Sequence, residues 1–176
     1  MRDIVQRDDP ILRAKAKKVP AEEIASPRIQ KVIADMKAAM HAQKDGVALA
    51  APQIGESLRI FVVSGALLSQ ADRSYKGGDK DLVFIDPEIV KLSRDKREVE
   101  EGCLSVRWLY GKIKRSTRAS LKAYDETGAR VERGASGLLA QIFQHECDHL
   151  EGILFTDKAR ELWEMSDEEI ADLQKP

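Results

Sequence analysis

The chain has 176 residues, 43% hydrophobic and 34% charged, with 29 Lys+Arg against 30 Asp+Glu and a net charge of -1. That length fits one domain, residues 1–176, with a sizeable core, and the charge balance gives no reason to invoke a nucleic-acid or anionic-membrane partner. No apolar run approaches a membrane span, the polar first thirty residues show no signal-peptide core, and two cysteines do not make a disulfide scaffold, so a soluble cytoplasmic protein is expected.

Ser26-Pro27 reads as the N-cap and first residue of a helix. Ile29, Val32, Ile33, Met36 and Met40 then recur at helical spacing, which carries that helix to about Gln43. Gly46 to Gly55 is small and apolar and ends in Pro and Gly, a composition for close approach of a backbone or ligand, or for a tight packing loop. Arg59 to Val63 reads as a strand, Ser64 to Lys80 as a surface loop, and Leu82 to Ile85 as a second strand. Asp86-Pro87 is expected to turn the chain into a third strand at Ile89-Val90. Ser120 to Tyr124 and Arg130 to Arg133 flank Asp125-Glu126-Thr127-Gly128 as a hairpin. Ser136 caps a further helix that Gly152 ends, and Ser166-Asp167-Glu168-Glu169 opens a C-terminal one as a capping box. Strands without βαβ alternation between strong helices give an α+β fold: a mostly antiparallel sheet packed around a central helix, with N-terminal and C-terminal helices.

That central helix carries His145-Glu146-Cys147-Asp148-His149, an HExxH pattern. Histidines four apart lie on one helix face and can share a divalent ion, with the glutamate beside an ion-bound water. At 100° per residue, with His145 at zero, Leu138 falls at about +20°, His149 at about +40° and Ile142 at about +60°. Glu146 is at about +100° and Cys147 at about +200°. The histidine face therefore carries two aliphatic residues and forms a pocket floor or a buried face, while Cys147 points away as a packed thiol. A catalytic ion needs a third protein ligand. His41 and Cys103 are candidates, and Glu151, Glu161 and Glu164 lie downstream of the helix; Cys103 is either a thiolate ligand or a packed cysteine.

Three segments, GVALAAPQ (Gly46 to Gln53), EGCLS (Glu101 to Ser105) and QHECDHLEG (Gln144 to Gly152), resemble in kind and order the motifs of the peptide deformylase family, bacterial type. The stretches Asp9 to Arg13 and Ile85 to Ile89 extend the likeness over nearly the whole chain. The resemblance implies a hydrolase that removes the formyl group from the N-terminal formyl-methionine of new polypeptides near the ribosome, without nucleic-acid or membrane contact. It implies Cys103, His145 and His149 as ligands of one divalent ion, Fe²⁺ in the cell, with Zn²⁺, Ni²⁺ or Co²⁺ able to replace it. It implies Glu146 as general base and acid, and the Gln53 side chain and Leu104 N–H as donors to the developing oxyanion. Gly46, Val47, Ala48, Val99 and Gly102 would contact substrate with Leu138 and Ile142, and Glu101 would pair with Arg115 behind the cysteine loop.

Two positions depart from the family pattern. Ala48 stands where a second glycine is usual, a clash if φ is positive, and Arg107 stands where many members have proline. Trp108-Leu109-Tyr110 is then either pocket rim or surface packing. Two other readings compete: a general HExxH zinc peptidase with a downstream His or Glu ligand, and a non-catalytic relative that binds N-terminal peptides.

Overall fold

The computed structural model describes residues 2–73 and 75–174. In chain order its regular elements are α1 (Pro27–His41), β1 (Ala48–Ala50), β2 (Ile60–Val63), α2 (Gly65–Ala71), β3 (Leu82–Leu92), β4 (Lys96–Cys103), β5 (Val106–Ser116), β6 (Arg118–Tyr124), β7 (Arg130–Ser136), α3 (Gly137–Leu150), β8 (Arg160–Glu164) and α4 (Asp167–Gln174). Two sheets, antiparallel throughout, have the orders β1-β2-β3-β6-β7 and β4-β5-β8. The expected mixed α and β composition with antiparallel pairing is what the chain adopts.

The five-stranded sheet is buried on both faces at β2, which alternates between two cores, while β7 and the far half of β3 are largely exposed. Ile60 and Val62 pack with Ile29, Ile33, Met36 and Met40, the stripe of α1. Phe61 and Val63 face the opposite way, onto Leu139, Ala140 and Phe143 of α3. Phe61, Phe84 and Phe143 form an aromatic knot with centroids 4.8 to 6.2 Å apart. Helix α3 also packs against β5 and so lies where the two sheets meet. Among the described residues no helix is long and apolar enough to cross a membrane.

Local signals account for most boundaries. Ser26 Oγ accepts the Ile29 N–H at 3.3 Å, and α1 ends at His41, two residues before the spacing alone places it. The Ser166 capping box forms: Ser166 Oγ accepts the Glu169 N–H, and Glu169 Oε2 accepts the Ser166 N–H at 2.8 Å.

Three expectations are corrected. Asp86-Pro87 does not separate two strands; β3 runs through it with a register shift between Ile85 and Glu88. Asp86, at φ 51°, makes a bulge, and its carboxylate accepts the Val19 N–H at 3.0 Å, so turn chemistry is absorbed into the strand. The 64–80 segment is not all loop: Ser64 Oγ accepts the Leu67 N–H and starts α2. Ser136 does not cap α3 with its side chain. Asp72, just past α2, accepts the Leu138 N–H at 3.2 Å instead. Gly137 makes room for it, since a Cβ there would stand 2.5 Å from Asp72 Oδ2.

Candidate metal centre

Helix α3 presents His145 and His149 on one face, with ring centroids 5.0 Å apart. The tight connection from β4 to β5 brings Cys103 Sγ to 3.2 Å from His149 Nε2. The three ligand atoms all lie within 4.8 Å of one another. Ligands around a tetrahedral ion of this kind stand roughly 3.5 Å apart, and a thiolate with two imidazoles is a soft donor set, so the trio fits a divalent transition ion.

Three of the four rival ligands, all but Glu164, are engaged elsewhere. His41 Nε2 lies 2.7 Å from Asp81, Glu151 pairs with Arg59 and Lys15, and Glu161 pairs with Lys112. Cys147 turns away, packs into the core beneath the five-stranded sheet, and has its thiol pushed up to about 12 by burial.

A buried charge relay backs the histidines. Glu101 Oε2 lies 2.9 Å from His145 Nδ1. Arg115 grips both oxygens of Glu101 at 2.8 and 2.9 Å and reaches Asp148 at 2.7 Å, and Lys158 closes the chain on Asp148 at 2.6 Å. Burial pushes the Glu101 carboxyl up, but hydrogen bonds from His145 and Arg115 outweigh it and hold the group down at about 2. Burial lowers His145 too, yet Cys103 and Glu101 raise it well above the ordinary imidazole value. Burial and the His145 charge hold His149 well below that value.

Two buried polar atoms at the site, Glu146 Oε2 and His149 Nδ1, have no hydrogen-bond partner among the described residues. Glu146 is pushed up to about 7, chiefly by burial. A carboxylate costs free energy in such a place, and active sites are where such costs concentrate.

Gln53 sits in a 3-10 turn (Ala51–Ile54) directly after β1. The Ala50 N–H donates to its Oε1 at 2.8 Å, which aims Nε2 at Ser105 Oγ, 3.1 Å, and Cys103 Sγ, 3.5 Å. A cavity of about 270 Å³ opens here, with Gln53, Cys103, Leu104, His145 and Glu146 in its polar wall. Leu138, Ile142, Val47 and Ala48 supply apolar wall, as the helix phase requires for the first two. Gly102 also lines it; a Cβ there would meet the Tyr110 ring at 2.5 Å. Gly46 and Val99 lie outside this lining, Val99 being paired with Ile113 along β4. Ala48 is not at positive φ, so its extra methyl brings no backbone strain. Arg107 lines the outer end, bonded to Asp45 at 2.7 Å and Gln43 at 2.5 Å, with its guanidinium 5.1 Å from the Trp108 ring centre. Trp108, Leu109 and Tyr110 line that end as well.

Sequence reasoning did not single out Asp148, Ser105 or Asp45. Asp148 lies inside the pentapeptide and Ser105 inside the cysteine motif, so position was the available signal. What each bonds to depends on Arg115, Gln53 and Arg107, all distant in sequence.

Fold and site together define a small α+β protein with a thiolate and two imidazoles gathered beside a buried carboxylate. The chain belongs to the polypeptide deformylase family, whose profile matches residues 1–164. The peptide deformylase of Dictyoglomus thermophilum is 42% identical over 161 residues, covering 92% of this chain and 94% of that one. That of Desulforudis audaxviator is 39% identical over 160 residues, with 91% and 94% covered. Peptide deformylase 1A of Arabidopsis thaliana, chloroplastic/mitochondrial, is 41% identical over 168 residues and is longer: 89% of this chain matches 60% of it. The crystal structure of peptide deformylase from Thermotoga maritima superposes with a TM-score of 0.78 at 36% identity, over 91% of this chain and 98% of that one.

Proposed function

We propose that the 176 residues act as one catalytic domain that hydrolyses the formyl group from the N-terminal formyl-methionine of nascent polypeptides, releasing formate. The observation that carries this reading is the buried Glu146 carboxylate, whose Oε2 has no hydrogen-bond partner among the described residues, beside the Cys103, His145 and His149 trio and an apolar wall. Cys103 Sγ and one ring nitrogen from each histidine would hold one divalent ion, Fe²⁺ in the cell, in a donor set that would also accept Zn²⁺, Ni²⁺ or Co²⁺. Bound there, the ion supplies Lewis-acid activation of water and of the formyl carbonyl.

Glu146 takes the proton of the attacking water on Oε2 and returns it to the leaving amine. Gln53 Nε2 and the Leu104 N–H donate to the formyl oxygen as it gains charge, worth roughly 3 kcal/mol each. Leu138, Ile142 and Val47 receive the methionine side chain, and Ala48 and Gly102 narrow its channel. Gly46 lets the segment before β1 run close enough for its backbone to bind an extended peptide. Glu101, held by Arg115, fixes the His145 ring through Nδ1, which would leave Nε2 as the ligand atom. The substrate is reached as the nascent chain leaves the ribosome in the cytoplasm.

Arg115→Ala tests the relay. It leaves the buried Glu101 without its guanidinium, while Asp148 keeps Lys158, so stability is expected to fall by about 3 kcal/mol. Metal affinity should fall by about 10–100-fold. Urea denaturation and competition with a chelator measure the two.

The reaction itself is tested with the metal-loaded protein and formyl-Met-Ala, scoring formate. Formate release in proportion to new free amine is expected. Metal-loaded protein that releases none, or that cuts the Met–Ala bond instead, overturns the assignment.

A further inference from the structure

Residues 2–16 lie across all three segments that build the site. Arg2 reaches Ile54 O at 3.5 Å, at the end of the turn that carries Gln53, and pairs with Glu56 at 2.7 Å. The Val5 N–H donates to Gln53 O at 2.9 Å. Gln6 Nε2 donates to Leu104 O at 3.2 Å. The Ala16 N–H donates to Leu150 O, at the end of α3, at 2.9 Å. The strap is pinned by apolar anchors: Ile4 packs on the α1 core, Val5 packs in the cluster that holds Val106 and Cys103, and Leu12 is fully buried there.

Gln53 and Leu104 come from different sheets, one after β1 and one between β4 and β5. Their direct link runs through Gln53 Nε2, which donates to Ser105 Oγ and to Cys103 Sγ. Those bonds use both amide hydrogens, and one of them has to be released to substrate. A link that keeps the two donors in register without using them has to come from behind, through their carbonyls. Val5 and Gln6, adjacent in the chain, supply one bond to each.

We propose that Val5 and Gln6 are positioning residues for the oxyanion donors: the N-terminal strap ties Gln53 O to Leu104 O and so sets the separation of Gln53 Nε2 and the Leu104 N–H. This rests on the deformylase reading. Donor geometry that loosens by a fraction of an ångström costs about tenfold in rate, since a shift of 1 Å costs about 100-fold.

The test compares Gln6→Met, of similar length but with no donor, with Gln6→Lys, which restores an N–H donor. With metal-loaded protein and formyl-Met-Ala, Gln6→Met is expected to lower kcat by about tenfold, with KM and metal content within about twofold. Gln6→Lys should recover most of the loss. In metal-free protein, amide hydrogen exchange at Leu104 and Ser105 should quicken in Gln6→Met alone. The proposal is overturned if Gln6→Met keeps its kcat, if kcat and metal content fall together, or if Gln6→Lys behaves like Gln6→Met. A native chain inert toward formyl peptides removes the deformylase reading and this proposal with it. An active native chain with an indifferent Gln6→Met removes this proposal alone.

Discussion

Glu146→Ala is expected to keep its ion and lose its turnover. A positioned general base is worth about 10²–10⁴-fold, and Glu146 serves as base and then as acid, so kcat should fall by about 10³-fold or more. KM should stay within a few-fold, because the apolar floor of Leu138 and Ile142 is untouched. Metal analysis and kcat on the same preparation decide it. A loss below tenfold at full metal content would mean that another group moves the proton.

The same carboxyl has a cost that can be measured without any substrate. In the fold it is pushed up to about 7 from an ordinary value of 4.5. Below about pH 4.5 it is neutral in both folded and unfolded chains and costs nothing. As pH rises from there the unfolded chain ionises while the folded one stays protonated, so the folded state loses ground. Above about pH 7 the cost is complete, about 3 kcal/mol for this shift. Glu146→Gln should therefore stabilise metal-free protein at pH 8 by an amount of that order and do little near pH 4. Urea denaturation at the two values reads the difference. An equal effect at both would show that burial does not penalise the charge. Activity thus rests on a group the fold would be more stable without.

Helical spacing made α1 and the histidine face legible, because a period of 3.6 writes burial directly into the order of residues. From the same phase came the outward turn of Cys147 and the wall formed by Leu138 and Ile142. The hairpin of β4 and β5 was harder to see. Strand β4 is charged and largely exposed, so the alternation that marks a half-buried strand is faint until Glu101. The cap of α3 was invisible for another reason: Asp72 reaches Leu138 from 66 positions away, and Ser136 sits in the usual capping place. Asp86-Pro87 has the chemistry of a turn, but flanking strand pairs outweigh it and leave a bulge. The third ligand also depended on distance in space. Position alone offered His41, Cys103 and three glutamates, and only folding brings a thiol to 3.2 Å from His149.

Cys103→Ala is therefore the substitution that separates the deformylase reading from a general HExxH peptidase. Four-ligand structural zinc sites are worth about 10–16 kcal/mol, so one ligand accounts for roughly 3–4 kcal/mol. Two imidazoles without the thiolate should hold the ion about 10²–10³-fold more weakly, and activity should drop steeply at micromolar metal. The fold should survive, because Cys103 is only half-buried and alanine fits its space. The metal-free proteins should accordingly unfold at similar urea concentrations. A peptidase site would keep its metal, drawing its third ligand from beyond α3. Two of the three glutamates there are committed: Glu151 is held by Arg59 at 2.6 Å and Lys15 at 2.8 Å, and Glu161 by Lys112 at 2.7 Å. Taking over from Cys103 would require breaking one of those pairs or bringing Glu164 over from β8, with movement of the backbone past α3. Native-like metal affinity in Cys103→Ala would mean that such a rearrangement occurs, and the assignment of the third ligand would fall with it.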